Sequence, residues 1–137
     1  MGHALRVHND KLVFEFSGLE ELEVLARRLE IDPCDVEAVF DNINGWDGLR
    51  GLLELKIAGT GIPGHIVEGR YLLRGGGEAI VAVRDPSRAI RVRLRRGPYR
   101  EVIVDVDDKQ SSLLLIMDLV SSCDTDRRPN ALESPKR

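Results

Sequence analysis

Residues 78–107, EAIVAVRDPSRAIRVRLRRGPYREVIVDVD, contain three strand-patterned runs that are separated by two turn signals. In the middle run, the apolar residues Ile90, Val92 and Leu94 alternate with arginines, which is the period-2 pattern of a half-buried strand. The run that follows Gly97 alternates in the same way. The stretch therefore predicts a β-meander with one face of its sheet in a core and the other in water.

The last two runs are expected to form a hairpin with an odd number of loop residues. Antiparallel pairing must bring the two apolar faces together, and a slip by one residue would reverse every side chain. A three-residue loop, residues 97–99, would place Arg95 opposite Glu101. Arg91 would then lie opposite Asp105, and the outer face would become a ladder of opposite charges, each pair contributing roughly 0.2 to 1 kcal/mol.

The flanking patterns extend the meander at both ends. Residues 65–74 predict a strand that the glycine run 75–77 joins to the meander as another hairpin. Apolar residues recur at helical spacing over residues 113–120, and they spread beyond one stripe, so we expect a helix that is largely covered. Asp107 or Asp108 is a suitable N-cap for it.

The first half of the chain predicts shorter elements. Residues 12–17, LVFEFS, have a strand pattern, and a helix with an acidic start is expected from Gly18 to about Arg28. Residues 41–52 are the least readable part of the sequence, because three glycines interrupt what could be a short helix with Ile43, Trp46 and Leu49 on one side. Further strands are predicted at residues 29–31, 36–40 and 53–58.

Length and composition favour one compact domain. The chain has 137 residues, of which 42% are hydrophobic, and this is enough for a single core. We predict one domain over residues 1–123 and a disordered, polar tail over residues 124–137. The fold class is α+β, mainly antiparallel β. No apolar run reaches the length of a membrane span and no signal peptide pattern is present, so a cytoplasmic location is expected.

The cysteines and histidines give little indication of a metal site. Cys34 and Cys123 are far apart in the chain, and two buried thiols are expected, with a disulfide as the alternative. His3, His8 and His65 have no second ligand at helical spacing. We predict neither a metal nor a cofactor.

Charge is distributed unevenly along the chain. Residues 10–54 hold twelve acidic against four basic side chains, a net charge of −8, whereas residues 70–100 hold nine arginines against two acids, a net charge of +7. Two interpretations remain open. These surfaces face each other within the fold or between copies of it, or the basic surface binds an anionic partner.

Four segments of the sequence are similar to a known family. The resemblance covers roughly residues 11–121, and it is strongest in three short motifs: GTGIPG, VRDP followed by Ala-Ile, and VDD. The four segments are RLEIDPCDVEAV (28–39), AGTGIPGHIVEGRYLL (58–73), EAIVAVRDPSRAIRVRL (78–94) and YREVIVDVDD (99–108). In these the chain resembles the bacterial and archaeal pleckstrin-homology-like domains, many of which are functionally uncharacterised. The resemblance implies a bent antiparallel sheet or barrel with a C-terminal capping helix, and here an extra helix follows the first strand.

The same resemblance argues against phosphoinositide binding. Eukaryotic relatives that bind these lipids carry Lys and Arg between their first two strands. Here that connection contains Glu20, Glu21 and Glu23. Carboxylates would repel a phosphorylated headgroup, so no inositol lipid is expected at that place.

Catalytic and nucleic-acid-binding patterns are weak. Residues 59–64 are glycine-rich but lack the Lys-Ser/Thr of a phosphate-binding loop, and Ser111 and Ser112 have no visible base. The arginine-rich strand has few aromatic residues near it for base stacking, and the chain's net charge is −3. We therefore predict a protein that is not an enzyme and that does not bind nucleic acid.

Two functions from different classes remain. The first is an interaction or adaptor module that docks a protein partner, or a second copy, through a basic sheet face. Its candidate residues are Arg91, Arg93, Arg95, Arg96 and Arg100. The alternative is a domain that binds a small anionic ligand or an anionic lipid in the strand-connecting loops, including residues 75–77. Its candidate residues are Thr60, Gly61, Gly64 and His65.

Overall fold

The structure is a computed structural model that describes residues 4–8, 11–15, 28–41, 43–62 and 66–133. Within these ranges the chain forms nine strands, two α-helices and two short 3-10 turns, Pro33–Asp35 and Pro86–Arg88. The helices are α1 (Gly45–Leu52) and α2 (Lys109–Glu133). The strands are β1 (Ala4–His8), β2 (Lys11–Glu15), β3 (Arg28–Ile31), β4 (Val36–Phe40), β5 (Leu53–Ile62), β6 (Ile66–Leu73), β7 (Glu78–Val83), β8 (Ala89–Leu94) and β9 (Glu101–Asp105).

The described strands form two sheets. β1, β2 and β3 make an antiparallel three-stranded sheet, and the other six strands make a mixed sheet in the order β4-β8-β9-β7-β6-β5. The α+β class with mainly antiparallel strands is confirmed. The described residues form no closed barrel. Residues 16–27 lie outside the described residues, and they contain all but the last residue of the extra helix predicted from Gly18 to about Arg28.

The β8–β9 hairpin confirms the predicted parity of its loop. Val92 pairs with Val102 and Ile90 pairs with Val104, so the two apolar faces coincide. The loop has five residues, because Leu94 N–H donates to the carbonyl of Arg100 at 2.8 Å. The three-residue loop was therefore wrong. A two-residue shift in register keeps every side chain on its face, so the face pattern does not distinguish the two loops.

The charge ladder is wrong in its pairs. Arg93 lies opposite Glu101, and Arg91 lies opposite Ile103. Asp105 lies opposite Ala89, and its carboxylate accepts from the backbone N–H groups of Arg84 and Asp85 at 3.0 and 2.8 Å. The sequence predicted that this face of β9 would be exposed to solvent. That expectation was wrong, since all five residues of β9 are buried.

The predicted meander fails at the connection between β7 and β8. β9 lies between these strands, parallel to β7 and antiparallel to β8. The 3-10 turn that follows Asp85 carries the chain across the end of β9, where the Asp105 carboxylate holds it. β9 is thus a central strand with both faces covered, which Ile103 on its supposed wet face indicated in the sequence.

The β6–β7 hairpin is confirmed. Tyr71 pairs with Ala79, and the N–H of Leu73 donates to the carbonyl of Gly77 at 2.9 Å. Gly76 and Gly77 adopt φ of 101° and 88°, which side chains with a Cβ rarely adopt. The glycine run therefore allows the tight turn that the sequence predicted.

Helix α2 covers one face of the six-stranded sheet together with the three-stranded sheet. Ile116 is fully buried there. Leu114 and Met117 remain 62% and 60% exposed, so the expectation of a largely covered helix was wrong on that side. The helix extends to Glu133, into the segment that the sequence assigned to a tail. The buried residues of this core are Leu12, Phe14, Ile31, Val36, Ile80, Ala82, Ile90, Val92, Leu94, Val102, Val104, Val106 and Ile116.

Helix α1 covers part of the opposite face. Its residue Leu49 is fully buried against the sheet, and its residues Trp46 and Leu52 pack against the same core. This second core ends at Ile103, and beyond that point the face continues with the arginines of β8. α1 therefore leaves one end of the face open. The buried residues of this core are Ile43, Leu49, Leu53, Tyr71, Leu73, Ala79, Val81, Val83, Ala89 and Ile103.

Candidate arginine cleft

The open end of the second face contains a buried carboxylate and two partly buried guanidinium groups. The side chain of Glu101 is only 3% exposed, and those of Arg91 and Arg93 are 13% and 31% exposed. Arg91 donates from Nε and Nη2 to the two oxygens of Glu101 at 3.0 and 2.9 Å. Arg93 donates from Nε to Oε2 at 3.2 Å. Such a buried carboxylate requires partners, and here two guanidinium groups supply them.

Phe40 supports both arginines from the neighbouring strand. β4 pairs with β8 so that Phe40 lies opposite Arg91. The guanidinium carbons of Arg91 and Arg93 lie 4.6 and 4.9 Å from the centroid of the Phe40 ring. The electron-rich ring face attracts both cations, and this contact fixes the planes of the guanidinium groups.

The three charges form one wall of a cleft of about 380 Å³. The end of α1, the turn between β6 and β7, and the β8–β9 pair enclose it. Its described lining holds four arginines against one glutamate, a net charge of +3. We call this site the arginine cleft. Its lining residues are Gly51, Leu52, Leu73, Arg74, Gly75, Gly76, Arg91, Arg93, Arg100 and Glu101.

Arg74 and Arg100 lie at the cleft with weaker contacts. Arg74 donates from Nε to the carbonyl of Gly51 at 2.9 Å, which leaves both Nη groups for a ligand. Arg100 is 3.9 Å from Glu37, and the side chains of that pair are about half exposed, so the pair adds little. The backbone N–H of Arg100 donates to the backbone carbonyl of Glu78. This bond fixes the Cα of Arg100 beside the β6–β7 turn.

The predicted basic residues divide into two groups. Arg91, Arg93 and Arg100 line the arginine cleft. The side chains of Arg95 and Arg96 contact the 3-10 turn Pro33–Asp35 and the start of β4 instead. Arg95 donates from Nη2 to the carbonyl of Val36 at 3.0 Å, and Arg96 pairs with Asp35 at 2.9 Å.

The predicted ligand loop is described only in part. Thr60 and Gly61 pair with Glu68 and Val67 in the β5–β6 ladder, and Gly64 and His65 lie outside the described residues. By contrast, Gly75 and Gly76 of the alternative loop line the arginine cleft, so elements of both hypotheses meet at one site.

Sequence reasoning missed Arg74, Glu101 and Phe40 as parts of the site. Glu101 was assigned to the exposed ladder opposite Arg95, and only the observed register brings it to Arg91 and Arg93. Arg74 ends a strand next to the glycine run, which is a weak signal. Phe40 lies 51 residues before Arg91 in the chain, and only the pairing of β4 with β8 brings the two together.

The two cysteines form a disulfide, so the prediction of two buried thiols was wrong. Their Cα atoms are 5.4 Å apart across a sequence separation of 89 residues. The bond joins the 3-10 turn Pro33–Asp35 to α2, and it exists because the helix packs over that turn, a contact that residue spacing does not reveal. The Asp32 carboxylate lies beside this bond, within 4.8 Å of both sulfurs.

Two carboxylates outside the cleft have lowered pKa values. Hydrogen bonds from the hydroxyl and then the backbone N–H of Ser87 lower the pKa of Asp85. The backbone N–H of Ser111 lowers the pKa of Asp108, followed by the Ser111 hydroxyl. Asp108 thus caps α2, as the sequence predicted, because Ser111 N–H donates to it at 3.1 Å.

A second, more apolar groove of about 270 Å³ lies between β4 and α2, and Val36, Val39, Met117 and Val120 contribute to it. None of the described helices is both long enough and apolar enough to cross a membrane. No protein-family model, curated protein or solved structure matches the chain. Geometry and charge are therefore the basis for a functional proposal.

Proposed function

We propose that this protein is a non-catalytic interaction module that docks an acidic protein segment in the arginine cleft. The observation that carries the proposal is the excess of four arginines over one glutamate around a single cleft. Guanidinium groups bind carboxylates through paired hydrogen bonds, and Arg is the cation suited to such planar recognition.

The cleft is organised before a ligand arrives. Glu101 and Phe40 fix the planes of Arg91 and Arg93, so these side chains lose little freedom on binding. Their bonds to Glu101 use one edge of each guanidinium group, and further N–H donors remain. Arg74 at the β6–β7 turn and Arg100 in the β8–β9 loop add further donors.

An acidic segment of this kind is present in the chain itself. Residues 10–54 carry a net charge of −8, so a second copy offers a complementary surface. Self-association is therefore one form of the proposal, and a separate protein with a Glu- or Asp-rich segment is the other. Sedimentation over a range of concentrations distinguishes these forms.

The test is a charge reversal with a matched control. A short fluorescent glutamate-rich peptide is titrated with R74E/R100E and with R88E/R96E, which undergo the same change in charge. Arg88 and Arg96 are exposed and lie outside the cleft lining. We expect R74E/R100E to lose about tenfold or more in affinity, and R88E/R96E to lose at most about threefold. Equal losses in both variants, or no loss in either, would contradict the proposal.

A small anionic ligand is the second candidate for the same cleft. The presence of Gly75 and Gly76 in the lining favours it, because glycine lets a ligand approach the backbone closely. Thermal shift with pyrophosphate, and with anionic lipid vesicles, tests this form. A saturable rise in the melting temperature with pyrophosphate, lost in R74E/R100E, would favour a soluble ligand, and a rise with vesicles alone would favour a lipid.

The pleckstrin-homology-like kinship is also a proposal. The packing of α2 on the antiparallel hairpins through Ile116 supports it. The parallel pairing of β7 with β9 departs from the meander that the kinship implies.

A further inference from the structure

The Asp32 carboxylate and the two cysteine sulfurs form a compact group of three donors. Their ligand atoms all lie within 4.8 Å of one another, although Cys123 is distant from the others in the chain. We propose that, when the disulfide is reduced, Asp32, Cys34 and Cys123 bind one zinc ion. Thiolates together with a carboxylate are a ligand set that zinc accepts, and a water completes the tetrahedron.

The first side of this site is held without the disulfide. Asp32 accepts from Cys34 N–H at 2.9 Å, and Pro33 between them is buried. Asp35 is fixed from the β8–β9 loop, because Arg95 N–H donates to its carbonyl at 2.8 Å and Arg96 pairs with its carboxylate. Asp32 and Cys34 therefore keep their positions when the bond opens.

The second side is held by apolar packing of α2. Ile116 is fully buried, and Leu113, Leu119 and Val120 pack against the same core. Cys123 is itself buried, one turn beyond Leu119. The two thiols are thus kept at a high effective concentration, which favours chelation of one metal over separate ligation.

The chemistry balances in two steps. In the first, a thiol reductant donates two electrons: two of its molecules join as a disulfide, and Cys34 and Cys123 each gain a hydrogen. In the second, one zinc ion replaces the two thiol protons, which leave to solvent. A reducing compartment maintains cysteines as thiols, so the reduced dithiol form of the protein is the normal one there.

The two carboxylate oxygens of Asp32 would have different roles in the zinc site. Its Oδ1 accepts from Cys34 N–H, and the other oxygen is available to a metal. A hydrogen bond of this kind orients a ligating carboxylate and commonly contributes tenfold or more in metal affinity. The Asp32→Asn variant keeps the hydrogen bond to the turn, because Asn is an equally good cap, and it removes the negative oxygen.

The experiment uses the full-length, tag-free chain after reduction with a phosphine and removal of the reductant without oxygen. Cobalt is titrated as a spectroscopic probe, and zinc is then added as a competitor. We expect a thiolate-to-cobalt charge-transfer absorption that saturates at one metal per chain and that zinc abolishes. D32N removes a ligand oxygen, so it should weaken cobalt binding by at least the roughly tenfold that loss of a hydrogen bond to a ligand costs. The exposed Asp47→Asn control should leave cobalt binding unchanged.

The inference would be overturned by the absence of the charge-transfer band in the reduced chain, by its persistence in C34S/C123S, or by an unchanged cobalt affinity in D32N. Circular dichroism of each reduced variant verifies that it is folded. The single variant C123S, which keeps Cys34 and Asp32, should bind cobalt more weakly and with a smaller band, and full retention of both would likewise contradict the site.

Discussion

Glu101 is the residue on which the arginine cleft depends most. It is almost fully buried, and it holds Arg91 and Arg93 in fixed positions over Phe40. A lone carboxylate there would be strongly destabilising, and so would two arginines without it. The same negative charge also reduces the attraction of the cleft for an anion, so stability and binding place opposite demands on this position.

Replacement of Glu101 by Gln should therefore separate the two effects. Loss of the buried partner should lower the free energy of unfolding by about 3 kcal/mol, measured by urea denaturation. The cleft charge rises from +3 to +4, so affinity for the glutamate-rich peptide should increase at low salt. The control is Glu37→Gln, whose half-exposed pair with Arg100 should alter stability by less than about 1 kcal/mol. A stable E101Q with unchanged affinity would contradict this account.

Asp85 predicts a pH dependence of stability. Ser87 lowers its pKa in the folded chain, so the unfolded chain binds this proton more tightly. The contribution is then fully present above the unfolded value of about 3.9 and is lost as the pH falls through the lower folded value. Ser87→Ala should thus melt below the parent at neutral pH, and the gap should close below about pH 4. A gap that stays constant with pH would refute this explanation.

At the scale of elements, the sequence indicated where the strands lie better than it indicated which strands pair with each other. Period-2 alternation and the glycine turns predicted both hairpins. They did not predict the parallel pairing of β7 with β9, because alternation shows which face is apolar and not which strand lies beside it. Likewise, β1 has the alternating residues Leu5 and Val7, yet its pairing with β2 was not foreseen.

The same distinction explains the site. Arg91, Arg93 and Arg100 belong to one hairpin, so local pattern was enough to group them. The other wall comes from the turn after β6 and from the end of α1, and these reach the hairpin only through the order of strands in the sheet. Contacts of that kind depend on tertiary packing, which no window of the sequence contains.

The β6–β7 turn supplies a prediction at this scale. Gly77 adopts φ of 88°, and a Cβ there would lie 2.8 Å from the Cβ of Arg100. Gly77→Ala should cost about 1 to 3 kcal/mol of stability and should displace Arg100 from the cleft, weakening peptide binding. Gly75→Ala is the control for stability, because its Cβ would meet nothing within 4 Å and its φ is not positive. Equal losses of stability in the two variants would argue against a role for this contact.

At the scale of the whole molecule, the disulfide links the 3-10 turn Pro33–Asp35 to helix α2. It closes a sequence separation of 89 residues, which in the chain-entropy view stabilises the fold by about 4 to 5 kcal/mol. Reduction should therefore lower the melting temperature by roughly 10 to 15 °C. The C34A/C123A variant should melt near the reduced parent and should not respond to reductant. A shift below about 2 °C would show that packing alone fixes α2.

The most direct measurement for the central claim is the NMR signal of each arginine Nε–H group during titration with the glutamate-rich peptide. The account predicts saturable shifts for Arg74, Arg93 and Arg100, which line the cleft, with no shift for Arg88 or Arg96. Shifts confined to Arg88 and Arg96, or spread equally over exposed arginines, would contradict it. In that case the cleft would serve only to bury Glu101.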